Sequence, residues 1–426
     1  MKILTFILLL GSIFWSRAQE GPISTYKKRV LEAAEVNLLM SYYQQDGEHA
    51  AVTGGEGTEA LKDVSSSIVV SLPLNADDVL TVDVGISAYS SASTSNINPL
   101  DGSNTVVSPF SASSGASRND VLVYTNPSYE HSSDDRNSIW RAQASFSNEF
   151  DYFSLGFGGG YTRLFNEKNT EISANAQVFL DHWNPQIPIE LRDGFYDDRI
   201  TGDGTYNPVF AEFSTDKRNS YAISLSFSQI LGRKWQASFL MDLVLQDGLL
   251  GTPFQRIYFG DVNDFYIDEF QLADDVERLP DSRFKIPLGI RMNYYLNDFF
   301  IFRGYYRFYR DDWGINANTV SLEVPIKLSD SFTVYPIYRF YTQTASDYFY
   351  KTEDALSTYI FYTSDYDLSN FHAHQYGLGL QYKDVFADAR LFLFGLKALD
   401  LRLNRYNRSD GLDAFIVTFG ATFVGE

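Results

Sequence analysis

The chain has no cysteine in 426 residues. That excludes disulfide staples, a thiolate nucleophile, and a lipid anchor attached through an acylatable Cys behind an export signal. Past residue 18 nothing approaches the ~18–20 consecutive apolar residues that a membrane helix needs. Basic residues are scarce: 34 Lys and Arg stand against 54 Asp and Glu, a formal charge of −20. A surface so acidic repels phosphates, so nucleic acid is not an expected partner. Motifs for catalysis are missing too: there is no Gly-x-Ser-x-Gly elbow and no phosphate-cradling glycine loop before a helix. His131 and His182 with a serine are the remaining chemical pairing, and no activity is expected from them.

What is present begins at the N-terminus. Lys2 precedes an uncharged segment over residues 3–14, which runs into Ser16-Arg17-Ala18. A basic start, a short apolar stretch and a small-residue cleavage site form a secretory signal peptide over 1–18. Its removal takes away Lys2 and Arg17 and leaves the chain more acidic still. Residues 19–34, with Lys27-Lys28-Arg29, are weakly patterned and are expected to form a basic periplasmic strap. From 35 to 426 the chain reads as one unit. Mean hydropathy is only −0.20, which is what strands with one lipid-facing and one polar face average to. Aromatics are abundant, with 34 Phe, 29 Tyr and 5 Trp, and Tyr and Trp suit the headgroup level of a membrane.

Alternation of apolar and polar residues is clean in many segments. Ile172, Ala174, Ala176 and Val178 alternate with Ser173, Asn175 and Gln177. Phe284, Ile286, Leu288, Ile290 and Met292 share one face, with Lys285, Arg291 and Asn293 on the other. Val320, Leu322 and Val324 oppose Ser321 and Glu323. Sixteen strands are expected, near 35–45, 64–74, 78–90, 120–131, 138–148, 152–165, 171–183, 219–230, 235–246, 283–295, 299–311, 317–328, 332–345, 372–382, 386–398 and 412–424. Connections alternate between tight turns, such as Asn75-Ala76-Asp77 and Gly232-Arg233, and long acidic loops near 46–63, 91–119, 184–218, 247–282, 346–371 and 399–411. An all-β chain with this rhythm is expected to be a transmembrane antiparallel β-barrel, with short periplasmic turns, long extracellular loops and an address in the Gram-negative outer membrane. Lipid and lipopolysaccharide are then its expected surroundings.

The runs SYYQQDGEHAAVTGGEGTE (41–59), DDVLTVDVGISAYSSASTSNINP (77–99), SGASRND (114–120), SYEHSSDDRNSIW (128–140) and GGGYTRLFNEKNTE (158–171) resemble a family of Gram-negative outer-membrane proteins catalogued only as a domain of unknown function. The resemblance covers nearly all of the mature chain. It implies a barrel and an outer-membrane address, and loosely an exported lipoprotein or exported redox and flavin-attaching proteins as partners. It transfers no catalytic residue.

The inward faces carry the candidate chemistry. Lys285, Arg291, Arg303 and Arg307 share one parity, and Arg339 joins them from 332–345. Asp83, Asp181, Asp242 and Glu323 are the expected opposing acids. Arginines facing carboxylates across a lumen set up a transverse field that orients polar solutes; alternatively these charges pair and fill a closed interior. Tyr305, Tyr309, Tyr335 and Tyr341 interleave with the arginines, as a slide for sugars or flat ligands or as simple lumen packing. The loop 247–282 holds nine acids, and Asp261-x-Asn263-Asp264 and Asp197-Asp198…Asp203-Gly204 could take Ca²⁺, although solvated acid beside lipopolysaccharide is the plainer expectation. His372 and His374 lie two apart and share a side, with no third metal ligand nearby, so no metal or cofactor is expected. Gly156, Gly158, Gly159 and Gly160 sit within a strand, where they permit bending or close approach. Two functions stay open: a porin-like channel or transport component for small polar solutes, and a non-conducting barrel that docks exported partners.

Overall fold

The computed structural model describes residues 28–91, 119–184, 187–192, 195, 197–208, 217–384, 389–391 and 393–425. The segment 1–18, expected to be a signal peptide, lies outside them. Sixteen long strands follow one another in antiparallel order: β1 Glu35–Asp46, β2 Leu61–Pro73, β3 Asp78–Ser91, β4 Asn119–Ser132, β5 Ser138–Asn148, β6 Tyr152–Phe165, β7 Thr170–Trp183 and β8 Arg218–Ile230. They continue with β9 Trp235–Gly248, β10 Ser282–Tyr295, β11 Ile301–Asp311, β12 Asn316–Glu323, β13 Phe332–Gln343, β14 Phe371–Lys383, β15 Phe394–Arg408 and β16 Asp413–Gly425. Each pairs with its sequence neighbours, and β16 pairs back onto β1 from Glu35↔Val424 to Asp46↔Asp413. The sheet is a closed sixteen-stranded transmembrane barrel without an unpaired edge.

Local chemistry fixes the turns. The Asn75 carboxamide accepts from the backbone N–H of Asp77 and Asp78 at 2.8 and 3.0 Å, and Asn297 does the same for Phe299 and Phe300 at 3.0 Å. These Asx turns hold the chain reversal without a long loop. At the same end, residues 28–34 carry no helix and lie along the β2–β3 turn: Val30 N–H donates to the Ala76 carbonyl, and Arg136 donates to the Lys28 carbonyl.

Period-two alternation resolves into two faces. Ile290, Leu322, Ile68, Ile86 and Leu378 are exposed on the outside. Aromatic pairs flank this aliphatic band, with Trp235–Tyr294 and Trp140–Tyr161 stacked or tilted towards the turn end and Phe146–Phe153 towards the loop end. An apolar belt between aromatic girdles is the surface a bilayer requires. Inside, glycines let aromatic rings lie flat against the wall. A Cβ on Gly379 would stand 2.0 Å from the Tyr335 ring, and one on Gly156 2.7 Å from Phe179, so close approach is the role of the glycine run in β6.

Two expected boundaries are corrected. The fifteenth strand is Phe394–Arg408, not 386–398, and the supposed loop 399–411 shrinks to 409–412. Leu399, Leu401 and Leu403 alternate with Asp400, Arg402 and Asn404, and this charged inner face reads like a loop. Four residues of the expected strand, 386–388 and 392, lie outside the described residues. The twelfth strand stops at Glu323 rather than 328, because Pro325 has no N–H to give the ladder; a two-residue piece, Ile326–Lys327, resumes the pairing with β13.

Most of the well-buried apolar residues lie outside the barrel wall, in the connections at the loop end. Residues 47–60, 187–192, 197–208, 249–281 and 344–370 fold against one another. Phe265, Ile267, Phe270 and Leu272 form one core; Ile257, Phe259, Ala355 and Tyr362 form a second; Leu191, Tyr258, Ala273 and Val276 form a third. Short strands tie distant loops together: Phe265–Ile267 pairs with Ile200–Gly202, and Arg256–Ile257 with Asp275–Val276. The Arg256 guanidinium donates to Glu190 at 2.6 Å with both side chains at most 1% exposed. The acidic loops therefore form a folded cap. This corrects the expectation of solvated acid at Asp275 and Glu277, which are buried; Asp261, Asp264, Asp268 and Glu269 do remain exposed.

Candidate functional site

Cross-strand register follows the inner wall residue by residue. On β10 and β11, Arg291 faces Tyr305, Asn293 faces Arg303, Gly289 faces Arg307 and Lys285 faces Asp311. On to β12 and β13, Arg303 faces Glu323, Arg307 faces Thr319, and Ser321 faces Arg339. Tyr309 sits opposite Pro287 and Ala317. All of these residues lie on the face opposite the lipid-facing Ile290 and Leu322. Asp83, on β3, and Asp242, on β9, belong to the same inner face by the same register.

The expected opposition of charges is rearranged. Glu323 does not oppose the arginines; it stands among them and accepts from Arg303 at 2.7 Å. Asp242 lies on β9, beside the basic wall rather than across from it. Asp83 is on the far side and Asp181, on β7, is a quarter-turn from β11; one carboxylate oxygen of each is buried without a hydrogen-bond partner among the described residues. In a closed ring of sixteen, β3 lies across from β11, the strand of Arg303 and Arg307, and β7 across from β15, where Arg402 pairs with Asp400 at 2.9 Å. Arg291, Arg307, Arg339 and Lys285 have no carboxylate at ion-pair distance among the described residues. Arg291 lies over Tyr305 at 5.7 Å and Arg307 over Tyr309 at 5.9 Å, edges of a cation–π wall.

Towards the loop end this wall is hollowed into two adjoining cavities of about 300 and 380 Å³. They share Arg339, Tyr341 and Asp367. The first adds Arg283, Arg307 and Tyr309; the second adds Arg408, Tyr406 and Gln375. Asp367 reaches in from the β13–β14 loop and pairs with Arg408, which also holds Asp410. Gln343 fixes that loop by donating to the carbonyls of Asp367 and Ser369 at 2.9 and 2.6 Å. Arg283 is bound to Asp311 at 2.5 Å.

Arg307, Arg339, Tyr309 and Tyr341 were legible from parity. Arg283 shares the parity of Lys285 and could have been found the same way. Arg408 and Tyr406 were hidden by the misplaced fifteenth strand, and Asp367 by lying in a loop. Lys285 and Asp242 do not line either cavity. His372 and His374 face outward in an aromatic cluster, with His374 at 3.0 Å from the Tyr338 hydroxyl, and His131 bonds Asp78 near the turn end.

A family model described as "Protein of unknown function (DUF3570)" matches residues 9–411. The chain belongs to this family. No curated protein matches it significantly. Among solved structures, this DUF3570 protein is similar to a "Bacterial polysaccharide outer membrane secretin", with 11% identity, TM-score 0.45, 93% of this chain and 100% of that chain covered. It is also similar to a BenF-like porin from Pseudomonas fluorescens Pf-5, with 9% identity, TM-score 0.41 and coverage of 92% and 99%. A third is OpdK from Pseudomonas aeruginosa with vanillate, with 7% identity, TM-score 0.39 and coverage of 92% and 99%. Likenesses at this level say nothing about what passes through or binds to the DUF3570 barrel.

Proposed function

We propose that this protein is an outer-membrane channel or transport component for small polar solutes. The observation that carries the reading is the wetness of the inner wall: inside a closed barrel, the Arg303 and Arg402 side chains remain 53% and 45% exposed. A lumen packed shut would bury them, and interior width grows with strand number. The outer address rests on the apolar belt and its aromatic girdles. The folded cap favours a second reading, a non-conducting barrel whose loop surface docks exported partners. Folded protein in planar bilayers separates the two. Stepwise conductance supports the channel; a silent bilayer, with partners co-purifying from outer membranes, supports the platform. Recovery of the protein in inner membranes would reject both.

A further inference from the structure

The two cavities under Asp367 are one basic pocket in an acidic protein. Of the guanidiniums around it, Arg283 is neutralised by Asp311 and Arg408 by Asp367 and Asp410. Arg307 and Arg339 are left over, and neither makes a hydrogen bond or ion pair with any described residue. Carboxylates outnumber bases by 20 in this chain, yet none among the described residues pairs with these two groups. Asp367 lines both cavities, and it pairs with Arg408.

From this placement we infer that the pocket binds a small organic dianion, one carboxylate to Arg307 and one to Arg339. The inference rests on the reading that solutes reach this lumen. A guanidinium is a planar fork that pairs with a carboxylate through two parallel hydrogen bonds. Arg307 stands on β11 and Arg339 on β13, with one strand between them and two residues apart in register, so their backbones are roughly 12 Å apart at ordinary strand spacing and rise. Both side chains are long enough to close on a short dicarboxylate. Tyr309, Tyr341, Tyr406 and Phe371 supply ring faces for its carbon skeleton, and the volumes of about 300 and 380 Å³ suit a molecule of a few carbons. Asp367, the one acid among the residues lining the two cavities, sets the selectivity by repelling the ligand.

Calorimetric titration of folded protein in detergent with sodium succinate tests this without requiring conductance. Saturable binding is expected, weakened about tenfold or more by Arg307→Gln and by Arg339→Gln, as loss of a charged hydrogen bond implies. Asp367→Asn should tighten it, and Arg291→Gln, on the same wall but outside the cavities, should leave it unchanged. Heat-dependent gel mobility identifies variants that have folded. Absence of saturable binding, equal weakening by Arg291→Gln, or inorganic phosphate and chloride competing as well as succinate would overturn the inference. Succinate binding to a barrel that is silent in bilayers sinks only the channel reading. Conductance without succinate binding sinks only the pocket.

Discussion

At the level of single residues, the two faces of a strand impose opposite rules on the same substitution. Ile290 and Asn293 belong to one strand, yet one meets lipid and the other the wet interior. Arginine at Ile290 should cost about 2 to 4 kcal/mol near the midplane, and at Leu322 similarly. Asn293→Arg and Ser321→Arg should be tolerated, since the inner wall already holds exposed arginines. The check is the temperature at which detergent-folded protein loses its compact gel mobility; equal losses from both sets would refute the assignment of faces. The same parity made most of the candidate pocket readable from sequence. Lys285, Arg291, Arg303, Arg307 and Arg339 fall on one face because alternation survives wherever lipid demands it. Pairing was not readable: that Arg303 holds Glu323, while Arg307 has no ion-pair partner among the described residues, depends on cross-strand register, which no single strand encodes.

At the level of elements, the barrel and its cap are held by different forces and should fail separately. Strands hold one another through a closed ladder, whereas the cap relies on small apolar cores and buried charge. Glu190→Ala would leave Arg256 buried without its counter-charge, a change of about 3 to 5 kcal/mol against the cap. Proteolysis within 249–281 should then rise while the barrel's heat-dependent mobility stays put; joint loss of both would show that they are one cooperative unit. Burial also pushes Glu277 up to about 7 and Asp274 up to about 6, despite the hydrogen bonds Glu277 accepts from Thr363 and Thr252. Carboxyls that keep their protons when folded but lose them when unfolded stabilise the cap at low pH, and that gain disappears as pH rises from about 4.5 to 7. Hydrogen exchange in 249–281 and 346–365 should accordingly be slower at pH 5 than at pH 8, after correction for intrinsic rates; the reverse order would reject the assignment. Little of this cap was legible in the sequence. Its strands are two or three residues long and pair across gaps such as Ile200–Gly202 with Phe265–Ile267, too short for periodicity to reveal, and its acids read as solvated surface. The wall was legible because a bilayer forces alternation over a dozen residues at a time, and it failed at β15 only where Asp400, Arg402 and Asn404 made the inner face as polar as a loop.

At the level of the whole molecule, the question is whether charge separated across the lumen acts on solutes or merely fills space. Asp83 stands on β3, across the ring from β11 with its Arg303 and Arg307, and a buried oxygen on each of Asp83 and Asp181 has no partner among the described residues. Such a field persists only across water, because direct pairing would cancel it. Neutralising Arg303, Arg307 and Arg339 together, as glutamines, removes the positive side and frees Glu323 from its bond to Arg303. In an open pore the reversal potential under a KCl gradient should move towards cation preference, since Asp83, Asp242 and Glu323 then face three fewer positive charges. Folding should survive, because no lipid-facing residue changes. In a closed interior the same triple variant strands carboxylates without counter-charges, which destabilises by several kcal/mol. A collapsed melting temperature with unaltered selectivity would therefore sink the channel and leave the capped barrel as a docking platform.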